Sequence, residues 1–343
     1  MKVLFLTTNA EIEASTRYRV LQYFPALRAA GHRPVFSPFY GSTRGRQLER
    51  IARGLLRRSA DMLRAGRYDV VFVHRELFPH SWNHLAPLFA ARTPLVFDFD
   101  DSIHIPSQTG WRGRIATPES TRVLVDHATR VFAGNAYLAD WARGRHERVD
   151  IIPTVVDTDV YQPKKRPPRD IPVVGWVGSP STAKYLELVL PILDDLAKSF
   201  RFRVRIVGAG RTIRMDRVEI EAPPWRAEGE HQLFDDLDVG LYPLTDDPWA
   251  RGKCGFKAIQ YLACGVASVS SPVGVVRDIV RPGVDGLLAE TREQWRDALA
   301  ELLGSLDARL RFAEAARARA VERYSLRTTA PRFIEGLVRA AQS

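Results

Sequence analysis

Residues 173–210 read VVGWVGSPSTAKYLELVLPILDDLAKSFRFRVRIVGAG, and this stretch decides the fold class. A short apolar strand pattern ends at Gly178, a predicted helix follows from about Thr182 to Lys198, and a second strand begins at Val204. A strand, a helix and a second strand in this order form a βαβ unit, whose two strands lie parallel in one sheet. The stretch therefore predicts an α/β domain with a parallel sheet.

The same alternation of short apolar runs and amphipathic segments continues on both sides of this unit. Further strand patterns begin at Val3, Val70, Pro94, Arg130, Val149, Leu237 and Val266. A chain of 343 residues is long enough for about two domains at roughly 150 residues each. We therefore predict two Rossmann-like, doubly wound α/β domains that face each other across a cleft and bind ligands at the carboxyl ends of their strands.

A segment rich in proline and positive charge separates the two arrays of strands. It carries prolines at 163, 167, 168 and 172 among lysines and arginines, a composition that disfavours both a helix and a central strand. The predicted boundaries are an N-terminal domain at 1–160, a linker at 161–171, a C-terminal domain at 172–325 and a last helix at 326–343. Packing of that helix against the first domain is left open.

Composition and charge narrow the class of protein. Apolar residues make up 45% and charged residues 26% of the chain, a balance typical of a soluble globular protein. The net charge of +10 favours an anionic partner: nucleic acid, an acidic membrane surface or a phosphate-bearing substrate. No zinc finger, RNA-recognition aromatics or compact basic arm is present, so we expect no nucleic-acid partner.

Arginines concentrate between residues 44 and 67, where Arg44, Arg46, Arg50, Arg53, Arg57, Arg58, Arg64 and Arg67 accompany several leucines. A solvated helix face and a peripheral contact with an anionic membrane both fit this pattern. Two cysteines, Cys254 and Cys264, fit a reducing compartment. The apolar run Val3–Leu6 is too short for a signal peptide. We expect a cytoplasmic protein without a transmembrane helix, with attachment to the inner membrane face left open.

The segment at 252–265, GKCGFKAIQYLACG, places Lys253, Gly255 and Lys257 at the start of a predicted helix. Free backbone N–H groups and the helix dipole attract an anion there, and two ammonium groups strengthen the attraction. If the helix begins at Phe256, Lys257 and Gln260 share a face, so one can hold a diphosphate while the other hydrogen-bonds a ribose hydroxyl. An ordinary helix start with solvated lysines fits equally well.

A second glycine-rich turn, Gly178-Ser179-Pro180, links the first strand of the C-terminal domain to a helix that carries Lys184. Such a turn lets the backbone approach a phosphate, although glycines also close tight turns for packing reasons alone. Because one domain contains two helix starts that can each bind a phosphate, the prediction of a phosphate site in this domain is stronger than either motif alone would make it.

These motifs together resemble family-4 glycosyltransferases of the GT-B fold. The resemblance rests on GWVGSPSTAKYL, VRIVGAG, LDVGLYPLTDDPWARGKCGFKAIQYLACGVASVSSPVG and GVDGLLAE, and in the first half on STRYRV, VFDFDD and IIPTVVDTDVY. It spans nearly the whole chain. It implies retaining hexosyl transfer from a nucleoside diphosphate sugar to a glycan, a lipid-linked or a small-molecule acceptor in bacterial cell-surface glycan synthesis, with no metal or other cofactor required.

The resemblance also assigns roles to residues. Domain 1–160 would bind the acceptor and domain 172–325 the nucleotide sugar. The residues implied as catalytic are Lys184, Lys257, Asp100 and Asp101. Those implied to contact substrates are Gly178, Ser179, Lys253, Gly255, Phe256, Gln260, Arg17, Arg19 and His104.

Three positions on the donor side depart from the family pattern, and near Asp100 the histidine of the relatives is missing. Ser179 stands where many relatives have an arginine, while Gly252 and Gln260 stand where they have paired glutamates eight residues apart. An amide at Gln260 can still bond a ribose hydroxyl but carries no charge. A binding protein that kept the fold and lost the chemistry is therefore an alternative function.

The run from Asp98 to His104, DFDDSIH, has competing interpretations. On a strand, Asp98 and Asp100 point the same way, so they fit a cation site or the nucleophile and acid of a haloacid-dehalogenase-like phosphatase. Carboxylates that cap the following turn or helix are the structural alternative. In the glycosyltransferase interpretation, Asp100, Asp101 and His104 line the cleft near the acceptor.

Three further sets of polar residues stay open. Arg17 and Arg19, in the first strand-to-helix loop, fit phosphate or acceptor binding and surface solvation equally. The stretch His74-Arg75-Glu76 ends another strand, where an internal Arg–Glu ion pair is favoured. His80 and His84 stand four apart but lack the glutamate of a zinc motif, so a metal site there is disfavoured.

Overall fold

The computed structural model describes residues 1–41, 46–79, 82–105, 118–164 and 169–343. Arg44, His80 and residues 165–168 of the predicted linker lie outside the described residues. The chain divides into two compact units. The first consists of Met1–Thr154, Arg251–Cys254 and Leu326–Ser343, and the second of Val155–Ala250 and Gly255–Ser325.

The first unit is built on a six-stranded sheet in which every neighbouring pair is parallel. Its strands are β1 (Lys2–Asn9), β2 (Arg33–Tyr40), β3 (Val70–His74), β4 (Leu95–Phe99), β5 (Arg130–Ala133) and β6 (Val149–Ile151). Their order across the sheet is β2-β1-β3-β4-β5-β6. All residues of β3 and β4 are buried, as expected for apolar strands covered on both faces.

Helices flank this sheet along the chain. They are α1 (Ala14–Arg19), α2 (Phe24–Ala29), α3 (Gln47–Arg64), α4 (Ala86–Ala90), α5 (Pro118–His127) and α6 (Ala136–Arg143), with 3₁₀ turns at Leu21–Tyr23 and Ala65–Arg67. The last helix of the chain, Leu326–Ala341, also belongs to this unit. Its Phe333 is fully buried and stacks on Tyr23 with ring centroids 4.0 Å apart.

The second unit contains another all-parallel six-stranded sheet. Its strands are β7 (Val173–Val177), β8 (Arg203–Val207), β9 (Ile220–Glu221), β10 (Val239–Tyr242), β11 (Ala267–Ser270) and β12 (Leu287–Leu288), in the order β12-β11-β10-β7-β8-β9. The remaining helices are α7 (Leu190–Leu196), α8 (Pro248–Arg251), α9 (Phe256–Ala263), α10 (Val276–Ile279), α11 (Arg292–Gly304), α12 (Leu306–Arg323) and the last helix, α13 (Leu326–Ala341). Further 3₁₀ turns span Ala183–Leu188 and Glu230–Phe234.

Two parallel sheets with helices between the strands confirm the predicted α/β class. The prediction of one continuous helix from about Thr182 to Lys198 was wrong, because this segment forms a 3₁₀ turn followed by the separate helix α7. Pro191 stands in the first turn of α7, where its missing N–H costs nothing, but a continuous helix through that position would lose a hydrogen bond.

The strand orders locate one switch point in each sheet. In the second sheet, consecutive connections run outward in opposite directions from β7 and β10, which lie side by side. In the first sheet, the corresponding neighbours are β1 and β3. Open parallel sheets bind ligands in the crevice that forms beyond the carboxyl ends of such strands. None of the helices in the described part of the chain combines the length and apolar character needed to cross a bilayer.

Candidate functional site

In the second unit, a tight turn follows β7 at the switch point. The N–H of Gly178 donates to the carbonyl of Val207 at 3.0 Å, which ties the end of β7 to the end of β8. The hydroxyl of Thr182 donates to the carbonyl of Ser179 at 3.0 Å and accepts from the Ser179 N–H at 3.2 Å. The hydroxyl therefore closes the turn on itself and fixes the backbone between Gly178 and Thr182.

The loop after β8 passes very close to this turn. Gly208 has φ +79°, and a side-chain carbon built on it would lie 2.2 Å from the carbonyl oxygen of Gly178. Only glycine satisfies both the left-handed backbone and the contact. At Gly178 and Gly208 the two neighbouring backbones thus carry no side chain, which leaves room for a phosphate group to approach them.

Helix α9 brings Lys257 to the same turn. Gly255, with φ +65°, precedes the helix, and Lys257 stands in its first turn. The Lys257 ammonium lies 3.5 Å from the Thr182 hydroxyl and above the rings of Trp176 at 5.4 Å and Tyr242 at 5.5 Å. Since Trp176 belongs to β7 and Tyr242 to β10, the cation lies between the two strands that define the switch point.

The other residues predicted for the donor side occupy different settings. Ser179 and Lys184 are exposed, and Lys184 follows one helical turn after Ser179 with its ammonium 5.0 Å from the ring of Tyr185. Gly178, Ser179 and Lys257 thus come together, and Phe256 begins the helix beside them, half-buried. Lys253 does not share this unit, because residues 251–254 pack with the first one.

Gln260 is buried, with only 3% of its surface exposed. Its amide N–H donates to the hydroxyl of Tyr161 at 3.2 Å, which joins the end of α9 to the segment that follows β6. Arg317 reinforces this contact by donating to the carbonyls of Tyr161 and Ala263. Gln260 therefore holds the helix that carries Lys257, and its ribose contact stays a prediction.

In the first unit, a buried charge cluster lies at the carboxyl ends of β3 and β4. Arg19 Nε donates to Asp98 Oδ2 at 3.2 Å, its Nη2 donates to Oδ1, and its Nη1 donates to the carbonyl of Ile152 at 2.5 Å. His74 Nδ1 donates to Asp98 Oδ2 at 2.7 Å. Burial alone would raise the pKa of Asp98, but the Arg19 charge and the His74 hydrogen bond outweigh it and hold that pKa below its usual range.

This cluster corrects two interpretations of the sequence. Arg19 is 1% exposed, so its guanidinium is a buried structural partner rather than a surface group waiting for substrate. Asp98 is fully buried and both of its oxygens are engaged, so it cannot attack a substrate as the phosphatase alternative requires. Arg17 is half-exposed and donates to the carbonyls of Glu11 and Ile12, which shapes the loop after β1.

Arg75 occupies a strained turn beside the cluster. Its φ is +65°, and the N–H of Glu76 donates to the carbonyl of His74 at 2.8 Å across it. Its guanidinium lies 3.1 Å from Asp101, 3.8 Å from Asp100 and 3.8 Å from Glu13. Arg75 thus forms an ion-pair cluster with these three carboxylates, one of which is a glutamate, Glu13.

Asp100 and Asp101 face a short segment that returns from later in the chain. The Lys253 ammonium lies 3.6 Å from Asp101, and the thiol of Cys254 donates to the carbonyl of Asp100 at 3.1 Å. Asn135 holds the same segment by donating to the carbonyls of Gly252 and Lys253 at 2.9 and 3.2 Å. Burial raises the pKa of the Cys254 thiol, which keeps it protonated as a donor.

His104 lies further along the same loop. It is 9% exposed and stacks on Trp141 with ring centroids 4.3 Å apart. Burial lowers the pKa of His104 to about 4, and the charge of Arg122 acts in the same direction. The ring is therefore neutral near pH 7.

Two residues of the candidate sites, Thr182 and His74, were not predicted from the sequence. Thr182 was assigned only to a helix start, although it links the glycine turn to Lys257. His74 was weighed only as part of an Arg–Glu ion pair, although it holds Asp98. In both cases the available signal was position, since each residue follows a strand at a predicted ligand-binding edge. Among the described residues, no group of three or more His, Cys, Asp or Glu side chains is arranged to hold a metal ion.

Comparison with known proteins shows which proteins this chain resembles. Residues 171–305 match the family model described as group 1 glycosyl transferases. This part of the chain is thus similar to group 1 glycosyl transferases. Among curated relatives, the chain is 25% identical over 360 residues to the D-inositol 3-phosphate glycosyltransferase of Xylanimonas cellulosilytica, covering 90% of this chain and 83% of the relative. It is 26% identical over 268 residues to that of Geodermatophilus obscurus, covering 66% and 57%.

Solved structures of glycosyltransferases share the fold of this chain. Sucrose-phosphate synthase from Thermosynechococcus elongatus superposes with a TM-score of 0.73 at 15% identity, covering 98% of each chain. HepE from Anabaena, solved with UDP-glucose, superposes with a TM-score of 0.71 at 19% identity, covering 98% of this chain and 99% of that one. The resemblance to family-4 GT-B enzymes predicted from the sequence is thus confirmed.

Proposed function

We propose that this glycosyltransferase moves a hexose from a nucleoside diphosphate sugar to an acceptor hydroxyl with retention of configuration, in bacterial cell-surface glycan or glycoconjugate synthesis. The observation that carries the proposal is the position of Lys257 between β7 and β10, 3.5 Å from Thr182 of the glycine turn. A cation at a switch point, beside backbone bare of side chains, suits a diphosphate.

The donor would lie with its diphosphate against the Gly178 turn. Lys257 and the exposed Lys184 would offset the negative charge that develops as the nucleoside diphosphate leaves, a stabilisation worth several kcal/mol in enzymes of many kinds. The HepE structures with UDP and with UDP-glucose support a nucleotide-sugar donor for a fold of this type. The contact of Lys253 with the donor stays a prediction, because its ammonium is paired with Asp101 in the first unit.

The acceptor would be held by the first unit, near Asp100, Asp101 and His104. An oxygen of the leaving diphosphate would take the proton of the acceptor hydroxyl, so this reaction needs neither a protein base nor a metal ion. Neutral His104 fits such a setting as a hydrogen-bonding group.

A non-catalytic binding protein of the same fold is the second candidate. Ser179 in place of a cation and an uncharged Gln260 that is bonded to Tyr161 favour it, since both changes remove charge from the donor side. The two candidates differ in turnover and not in nucleotide binding.

Thermal unfolding in the presence of UDP, GDP, ADP and dTDP tests donor binding directly. A ligand that binds only the folded chain at about 100 times its Kd stabilises it by about 2.7 kcal/mol, so one of the four should raise the Tm by several degrees. Release of that nucleotide from its sugar conjugates then separates the transferase from the binding protein. If none of the four raises the Tm, the proposed donor class is wrong.

We also propose that helix α3 attaches the enzyme peripherally to an anionic membrane. Leu48, Leu56 and Leu63 are 80%, 73% and 73% exposed and share one side of the helix. Arg50, Arg53, Arg57 and Arg64 accompany them. Arg58 is excluded from this surface, because it is fully buried and donates to the carbonyls of Thr7, Ser37 and Leu77.

A further inference from the structure

A small pocket of about 210 Å³ lies at the switch point of the first sheet. It is lined by Thr8 and Asn9 at the end of β1, by His74, Arg75 and Glu76 at the end of β3, and by Glu13 and Ile103. Strands β1 and β3 are the neighbours from which the first sheet extends in opposite directions. The pocket therefore stands where a parallel sheet of this topology receives a ligand.

One wall of the pocket carries a buried nitrogen without a hydrogen-bond partner. His74 is 2% exposed, and its Nδ1 is turned to Asp98 at 2.7 Å. Within the described residues, His74 Nε2 has no hydrogen-bond partner. Because His74 Nδ1 is bonded to Asp98, Nε2 is the ring atom left to form a hydrogen bond with a hydroxyl.

The charges around the pocket decide what kind of ligand fits. The chain as a whole is basic, with a net charge of +10, yet the pocket is lined by two carboxylates, Glu13 and Glu76, and by one guanidinium. The Arg75 guanidinium already faces Asp101 at 3.1 Å, with Asp100 and Glu13 at 3.8 Å. A phosphate bound here would lie close to the carboxylates of Glu13 and Glu76, while the positive charge of Arg75 is already neutralised by its acidic neighbours. Repulsion between like charges at short range therefore disfavours a phosphate.

The backbone supports the same location. Arg75 has φ +65° without being a glycine, a conformation that costs of order 1 to 3 kcal/mol and persists where surrounding contacts enforce it. Those contacts are the hydrogen bond from the Arg75 N–H to the carbonyl of Asp98 at 2.8 Å and the carboxylates around its guanidinium. The strained turn aims Arg75 at the acids and leaves His74 and Glu76 on the pocket wall.

We propose that this pocket binds the acceptor as an uncharged polyhydroxyl compound, a polyol or a sugar without phosphate on the bound part, with one hydroxyl hydrogen-bonded to His74 Nε2. Hydroxyls of such a ligand donate to Glu13 and Glu76 and accept from Asn9. The role of this ligand as the acceptor rests on the proposed glycosyl transfer, whereas its binding in the pocket does not. It differs from the phosphorylated acceptor in the printed names of the curated relatives.

Ligand-observed NMR titration of the full chain tests the charge preference. The probes are myo-inositol and methyl α-glucopyranoside, each compared with a phosphorylated counterpart, myo-inositol 1-phosphate and glucose 6-phosphate. We expect at least one neutral probe to bind about tenfold or more tightly than its phosphate. Equal or tighter binding of the phosphates, or no binding of either neutral probe, would overturn the proposal.

The variant His74→Asn tests the atom. Asparagine keeps a donor at the position of Nδ1 for Asp98 and removes Nε2, so the buried charge cluster stays paired. We expect the neutral probe to bind about tenfold more weakly, while the Tm changes by no more than in the exposed control Glu322→Gln of the second unit. If His74→Asn fails to fold, Glu76→Gln with Glu13→Gln gives the second measurement, in which the phosphorylated probes should gain affinity relative to the neutral ones. If the variant that folds binds the probes with unchanged affinity, His74, Glu13 and Glu76 do not hold the ligand and the proposal is overturned.

Nucleotide binding measured on the same samples separates this proposal from the proposed function. If neutral polyols bind through His74 but no nucleotide binds, the proposed pocket is supported and the proposed glycosyl transfer is contradicted. If a nucleotide binds and is released from its sugar but no polyol binds, the glycosyl transfer is supported and the proposed pocket is contradicted.

Discussion

The guanidinium of Arg19 and the carboxylate of Asp98 form a bidentate ion pair in which both side chains are fully buried. It connects α1 to the end of β4. We expect Arg19→Leu to lower the free energy of unfolding by about 3 to 5 kcal/mol, because the variant leaves a buried carboxylate with only His74.

Urea unfolding measures this difference. Arg53→Leu is the matched control, since Arg53 is 69% exposed and its pair with Glu49 spans 3.8 Å, so the change should stay below about 1 kcal/mol. Similar losses for the two variants would show that the buried pair contributes no more than a surface pair.

Lys257→Ala should reduce donor turnover about tenfold or more, because the loss of one or two kcal/mol of charge stabilisation raises the barrier to departure of the diphosphate. Lys198→Ala is the control in the same unit, where the ammonium is exposed and paired with Asp195 at 2.5 Å. Release of nucleoside diphosphate from the sugar donor is the readout. Turnover in Lys257→Ala equal to that of the control would remove Lys257 from the reaction. EDTA should leave the wild-type rate unchanged.

Stability should fall in acid partly because of His104. Its pKa is about 4 in the folded chain and about 6.5 in the unfolded chain, so the unfolded state binds more protons between these values. Stability is therefore lost as pH falls from about 6.5 to about 4, by about 1 to 2 kcal/mol after allowance for solvent screening. His104→Phe should flatten that part of the profile in urea titrations at several pH values. The exposed His127→Gln should keep the wild-type profile, and a wild-type slope in His104→Phe would contradict the assignment.

Replacing Leu48, Leu56 and Leu63 by serine should weaken binding to vesicles of phosphatidylglycerol and phosphatidylcholine at least tenfold, because three exposed leucines no longer insert. Sedimentation with vesicles measures it. Leu310→Ser on α12 is the control, since Leu310 is 52% exposed outside the proposed surface. Equal binding to vesicles of phosphatidylcholine alone would show that the arginines do not contribute.

Phe333→Ala should destabilise the protein by about 3 to 5 kcal/mol, because the ring is fully buried against Tyr23, Phe72 and Phe132 and its removal leaves a cavity. Arg339→Ala, an exposed change on the same helix, should cost about 0.5 kcal/mol or less. A small loss in Phe333→Ala would mean that α13 contributes little to the core of the first unit.

Much of the fold could be predicted, because buried parallel strands are short apolar runs. Strand β2 is the informative exception. Pro34 and Pro38 interrupt its pattern, and they are tolerated because β2 lies at an edge of the sheet. The other strands that the pattern missed, β9 and β12, are edge strands of two residues each and too short for any periodicity.

The candidate site likewise contains residues whose positions could be predicted from the sequence and residues whose positions could not. The positions of Gly178 and Lys257 in the fold could be predicted, because Gly178 lies in a local strand-to-helix turn and Lys257 lies in the first turn of a local helix. Arg19 and Asp98 stand 79 residues apart, so nothing local distinguishes two buried partners from two solvated charges. Lys253 and Lys257 stand close together in sequence but belong to different units, since the chain leaves the first unit just before the left-handed turn at Gly255.

The discontinuous first unit bears on the order of synthesis. Residues 1–154 are synthesised before the segments 251–254 and 326–343 that complete their unit. The second unit consists of residues 155–250 and 255–325 and can close as it is made, whereas the first must wait with the surface under Phe333 uncovered. The first unit is thus completed after the second, and a nascent chain stalled before residue 326 exposes apolar surface to chaperones.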